Sequence, residues 1–147
     1  MIAGTGGPER VRISGYLQAL GEVGLTPQLV SHGDFNEESG YRATREILAS
    51  SARPTAIFAG NDLMALGAMT AIREAKLTIP DDIALMGFDD IFAARFVTPP
   101  LSTINQFQYD LGRVAAEMVL ERLNELPHDA SGRQRQMTFE VVRRQSV

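Results

Sequence analysis

No cysteine occurs in the 147 residues, so disulfides, thiolate metal sites and cysteine nucleophiles are all excluded. Histidine is nearly as scarce. His32 and His128 stand far apart, which argues against a histidine-based metal site. No apolar run approaches the ~20 residues that span a bilayer. Nor does a basic segment followed by an apolar stretch open the chain, so a cytoplasmic location is expected. A basic excess is missing too: the net charge is -4 and the pI about 5.2, which leaves no electrostatic footprint for nucleic acid. The signatures of enzymes on α/β folds are likewise absent. There is no Gly-x-Ser-x-Gly elbow and no histidine placed by sequence to activate a serine. The glycines Gly4-x-Gly6-Gly7 lack a following Lys-Ser/Thr, and they read as a flexible strand-to-helix loop rather than a phosphate loop. Neither an internal repeat nor a low-complexity tract is found. The expectation is a protein that is not an enzyme and needs no cofactor.

What is present is one domain's worth of ordinary globular composition, 44% hydrophobic and 22% charged. Strand-like and helix-like segments alternate. Met1–Gly4 reads as the end of a strand, and Glu9–Val23 as a helix with Ile13, Tyr16, Leu17, Leu20 and Val23 in its stripe and Gly24 at its C-cap. Pro27–Ser31 is a short strand. A helix capped by Asn36 or Asp34 then runs to about Ser50, with Ala43, Ile47 and Leu48 inward. Ala56–Ala59 is a strand, Asp62–Ala75 a helix capped by Asn61, and Pro80-Asp81-Asp82 a solvated turn before the strand Ile83–Phe88. After Pro99-Pro100 the pattern changes. Ser102–Ile104 is extended, and a helix from about Tyr109 to Leu126 carries Gly112, Ala115, Ala116, Val119, Leu120 and Leu123 on one face. His128–Arg135 is a polar loop, and Met137–Val142 alternates as a half-buried edge strand with Met137, Phe139 and Val141 on one side. This order predicts an α/β fold, a doubly wound parallel sheet with helices on both faces.

In such sheets, residues just past the carboxyl ends of strands line the ligand crevice. That places Asn61, Asp89 and Gln106 to meet one small molecule. Asp89, after a near-continuous apolar strand, has a carboxylate able to accept from two hydroxyls or a ring N–H, whereas Asp90 reads as a cap or a solvent-facing residue. Asn61 is equally the expected helix N-cap, and Asp62 reads as structural. Phe35, on a loop, suits stacking on a sugar face or a purine, or simply the core. Gln106 contacts a ligand or steadies the extended crossing. Arg12 offers a fork of donors for hydroxyls or a carbonyl, and Arg10 stays on the surface.

The motifs Arg12-x-x-Gly15, Gly33-Asp34-Phe35 with Glu38-Ser39-Gly40-Tyr41, Asn61-Asp62-x-Met64-Ala65-x-Gly67-Ala68, Ile79-Pro80-x-Asp82-Ile83, Gly87-Phe88-Asp89-Asp90, Pro99-Pro100-Leu101-x-Thr103-Ile104-x-Gln106 and Arg143-x-x-Ser146 occur in one order. Together they resemble the effector-binding domain of the LacI/GalR family of bacterial transcription regulators, over essentially the whole chain. The resemblance implies a periplasmic-binding-protein-like fold, truncated at the N-terminus. Residues 1–101 would form the second lobe without its first strand and helix, 102–106 the crossing, 107–135 a helix and loop belonging to the first lobe, and 136–147 the returning strand and tail. No DNA-binding domain is expected within it.

The resemblance also supplies the Arg12 ligand role and a homodimer in which the helix holding Leu66 and Met69 joins two second lobes. The function it implies is an effector-sensing and dimerisation module. A small molecule, a sugar or sugar derivative with a purine also open, would change operator binding through an N-terminal domain that this chain lacks. A solute-binding protein of a transport system and a non-binding oligomeric fragment are the alternatives.

Overall fold

The structure, a computed structural model, describes residues 1–5, 7–26, 29–51, 54–124 and 132–147. Its elements alternate in the expected order: β1 (Ile2–Ala3), α1 (Gly7–Glu22), β2 (Ser31–His32), α2 (Glu37–Ala49), β3 (Ala56–Phe58), α3 (Asp62–Glu74), β4 (Ala84–Met86), a 3-10 turn (Phe92–Arg95), β5 (Thr103–Asn105), α4 (Gln108–Leu123) and β6 (Glu140–Val142). β1 pairs with β2 and β3 with β4, both in parallel. Parallel bridges from Ile2 to Ala59 and from Met86 to Ser102 join these pairs and β5, and β6 closes the sheet antiparallel to β5. The strand order is therefore β2-β1-β3-β4-β5-β6. It reverses direction between β1 and β3, and that reversal is where ligands collect in open α/β sheets.

One face of the sheet holds the core. Strand alternation points Ile57 and Leu85 to one side, where they pack with Ala43 and Ile47 of α2 and Ala65, Ala68 and Ile72 of α3. Fully burying side chains such as Ile72 and Leu85 contributes about 2 kcal/mol each. Both helices start with the expected caps. Asn36 accepts from the Ser39 N–H at 2.8 Å and Asn61 from the Met64 N–H at 2.9 Å. The helices then cross in backbone contact: a Cβ on Gly40 would run into the Met64 main chain, and one on Gly67 into the Glu37 carbonyl oxygen. Gly24, at φ +71°, ends α1 as its expected C-cap, with the Leu25 N–H returning to the Leu20 carbonyl at 2.9 Å.

The opposite face is sparsely covered, and several apolar stripes read from the sequence stay partly or wholly open. On α1, Ile13, Tyr16 and Leu20 are half-buried while Leu17 and Val23 are exposed, and a cleft of about 470 Å³ lined by Tyr16 and Leu20 opens between this helix and the sheet. On α4 the whole expected face is open, Gly112, Ala115 and Ala116 included, with Leu123 at 66% exposure; Val114 is the residue this helix buries. Along the expected Met137–Val142 strand, Phe139 and Val141 are exposed and Met137 is half-buried. In each case the periodicity is real, but no described element packs on that side. The expected Pro27–Ser31 strand is Ser31–His32 here, and residues 27 and 28 lie outside the described residues. So do Gly6, the expected helix end at Leu126, and the first half of the His128–Arg135 loop, His128 included.

Substituting Gly67→Ala is expected to cost about 3 kcal/mol, since a rigid backbone and not a flexible side chain meets the new methyl group. Urea unfolding of wild type and variant would measure it, and an unchanged midpoint would contradict the close approach of α2 and α3.

Candidate functional site

Polar residues follow the carboxyl ends of β3, β4 and β5, and Arg12 joins them from α1. β4 continues beside β5, with the Gly87 N–H on the Ser102 carbonyl and the Asp89 N–H on the Ile104 carbonyl, both at 2.9 Å. The chain then turns sharply. Asp89 at φ +120° and Asp90 at φ +55° are consecutive non-glycine residues in a region that L-residues rarely adopt, one that aspartate tolerates better than most. Asp62, fully buried at the start of α3, holds that turn. Its Oδ1 accepts from Thr103 Oγ1 at 2.6 Å, its Oδ2 accepts from the Ile91 N–H at 2.9 Å, and its own N–H donates to the Phe88 carbonyl at 2.8 Å. Burial pushes the Asp62 carboxyl above the ordinary aspartate value and the neighbouring Asp90 charge adds to this, while the Thr103, Ile91 and Phe88 hydrogen bonds oppose it.

Three of the sequence-expected residues come together here. Gln106 Nε2 donates to Asp89 Oδ1 at 2.8 Å. Arg12 Nη1 donates to the Gly60 carbonyl at 2.7 Å, and its guanidinium lies 4.0 Å above the Phe88 ring centre. Burial raises the Asp89 carboxyl above its usual value, the Arg12 charge and the Gln106 hydrogen bond work against that, and Asp62 adds to it. Arg12 and Gln106 also edge a cleft of about 720 Å³ between α1 and the sheet, floored by Phe58, Phe88 and Ile104.

Asn61 and Phe35 form a second group at the same end of the sheet. Asn61 Oδ1 caps α3 and its Nδ2 donates to the Phe35 carbonyl at 2.9 Å, so both ends of the amide are engaged. Phe35, at φ +59°, is half-buried with its ring against the backbone of Gly4. Leu66 and Met69 lie elsewhere, on α3. Leu66 is half-buried, but Met69 is sealed in its own chain at 7% exposure and has almost no area to offer a second subunit.

Two features escaped the sequence reading. Asp90, expected as a cap or a solvent-facing acid, is buried between Arg144 Nη2 at 2.6 Å and Arg95 Nη2 at 3.3 Å, which ties the C-terminal tail to the turn. Ser146 continues that latch, donating to the Leu85 carbonyl at 2.6 Å and accepting from the Ser102 N–H at 2.8 Å. Glu9, unremarked in sequence, is buried beside Arg12, and only its i, i+3 spacing signalled the pair. Among the described residues no group of three acids or histidines is placed to hold a metal ion, and no helix is long and apolar enough to cross a membrane.

The model of the periplasmic binding protein-like domain family matches residues 1–147. A curated relative, the HTH-type transcriptional repressor PurR of Erwinia tasmaniensis, is 42% identical over 142 residues, which is 92% of this chain and 40% of that protein. Thus the chain spans about two fifths of that relative's length. Among solved structures, the transcriptional regulator CelR in complex with cellobiose superposes with a TM-score of 0.89 at 31% identity, over 99% of this chain and 46% of that one. The lac repressor dimer bound to operator and the anti-inducer ONPF gives 0.87 at 31% identity, over 99% and 52%.

The raised Asp89 carboxyl has a consequence for stability. Between the ordinary aspartate value of about 4 and the raised folded value, the folded chain binds this proton more tightly than the unfolded chain does, so stability falls as pH rises through that window. Asp89→Asn removes the effect. In thermal unfolding from about pH 4 to pH 7, the variant is expected to gain on wild type as pH rises; a difference independent of pH would contradict the assignment.

Proposed function

Since the chain belongs to the periplasmic binding protein-like domain family, as part of the effector-binding domain of a LacI/GalR-type regulator, we propose that its strand-end crevice is one half of an effector site. The carrying observation is the convergence of Arg12, Asp89 and Gln106 at the carboxyl ends of the strands. Asp89 would accept from ligand hydroxyls, with Gln106 fixing the orientation of the carboxylate and Arg12 donating from the α1 side. Phe35 would supply an apolar wall. Asn61 would act through it, since its amide holds the Phe35 carbonyl and the start of α3.

A sugar or sugar derivative is the favoured effector, supported by the cellobiose complex of CelR. Phe35 also suits a flat purine base, but its ring already lies on Gly4, which favours the sugar reading. The mechanism is a population shift: a ligand that bridges two lobes favours one closure state and so biases operator binding in the longer protein. That output would be carried by a cytoplasmic homodimer, a reading supported by the lac repressor dimer on its operator. Of the two α3 residues expected at such a contact, Leu66 has surface to contribute and Met69 has almost none.

A thermal-shift screen of this chain against cellobiose, ribose and hypoxanthine tests the site. At about a hundredfold excess over Kd, binding adds about 2.7 kcal/mol and raises Tm by several degrees. The rise is expected to saturate, and to need at least about tenfold more ligand in Arg12→Ala or Asp89→Ala, the loss of one charged hydrogen bond. A shift that survives both substitutions would place the ligand elsewhere.

A further inference from the structure

The connection from β1 into α1 delivers a helix N-terminus to the crevice where the strand order reverses. Unpaired N–H groups and the helix dipole make such a position favourable for an anion, typically a ligand phosphate. This chain places an anion of its own there. Glu9 lies in the first turn of α1 and is only 1% exposed. Its Oε2 accepts from Arg12 Nη1 at 3.2 Å, while Oε1 is buried without a hydrogen-bond partner. The seat is shaped for this side chain, since a Cβ on Gly60 would come within 2.7 Å of Oε1. A buried acceptor left unpaired is costly, and it calls for a donor.

The charges around the crevice point the same way. Arg12 is the cation set against Asp89, yet its Nη1 is already engaged by the Gly60 carbonyl and by Glu9. Two carboxylates therefore face one guanidinium, part of whose donor set is already engaged. A carboxylate oxygen only accepts, so Glu9 Oε1 is matched by an N–H or O–H and repels a phosphoryl oxygen.

We propose that Glu9 is a specificity-determining residue that makes this crevice select uncharged, donor-bearing ligands over their phosphorylated counterparts. The proposal rests on the effector-site reading above and narrows its ligand class. Glu9 acts through charge and through the seating of Arg12, so its effect is read in the ratio between matched ligands rather than in affinity alone.

Isothermal titration of wild type, Glu9→Gln and Glu9→Asp with two matched pairs, ribose with ribose 5-phosphate and hypoxanthine with inosine 5′-monophosphate, tests this. Wild type is expected to bind the unphosphorylated member of a pair at least about tenfold more tightly. Glu9→Gln keeps the size and removes the charge, and it is expected to narrow that ratio by about fivefold or more. Glu9→Asp retains the charge, so it should weaken both members alike and leave the ratio unchanged. Equal or tighter wild-type binding of the phosphorylated member, or an unchanged ratio in Glu9→Gln, overturns the proposal while the effector site stands. Wild type that binds none of the four compounds overturns both.

Discussion

Two glycines set how closely α2 and α3 approach, and the arrangement of the strand-end crevice follows from that distance. Gly40 admits the main chain of Met64, and Gly67 admits the carbonyl of Glu37. Both contacts fall near the N-terminal ends of their helices, beside the loops that leave β2 and β3. Because the helices touch there, Asn61 at the head of one reaches the Phe35 carbonyl at the head of the other. A wider spacing would leave the Asn61 Nδ2 and the Phe35 loop without each other, and the wall beside the crevice would have no fixed position.

A second constraint orders the other side of the crevice. Asp62 is a buried carboxylate whose two oxygens reach different segments, Thr103 on β5 and the backbone after the Asp89-Asp90 turn. That turn has two consecutive residues at positive φ, a conformation maintained only where surrounding bonds determine it. Asp62 and the Asp90–Arg144 pair provide those bonds, and Asp89 is thereby left free to face Gln106 and Arg12. Burial raises the Asp62 and Asp89 carboxyls above the ordinary aspartate value, and a neighbouring carboxylate adds to the shift in each case.

Much of this was legible in the chain. The caps at Asn36 and Asn61, the helix end at Gly24, the parallel α/β class and the nearness of Asp89 to Gln106 all rest on local chemistry or strand-end position, and the structure contains each of them. Asn61, grouped with that pair by the same reasoning, turns its amide to Phe35 instead, and Arg12 came from the family resemblance. Burial of the apolar faces is the part that the local pattern leaves open. The stripes on α1 and α4 and the alternation over Met137–Val142 have the period of buried faces, yet Leu17, Val23, Leu120, Leu123 and Phe139 are exposed. Periodicity shows that a face is apolar. It does not reveal which partner covers that face.

By itself, then, the sequence determined what acts within a few residues: helix starts and stops, strand positions, the absence of thiol chemistry, and which polar side chains follow the strands. Tertiary structure decided what depends on residues far apart meeting. It buried Asp90 against Arg144, 54 positions away, and left Glu9 with an oxygen that nothing answers. It also committed Met69 to its own core and turned the Asn61 amide toward Phe35. The physical reason is that capping and periodicity are local properties of the backbone, whereas burial, charge pairing and desolvation are set by neighbours that only the folded chain supplies.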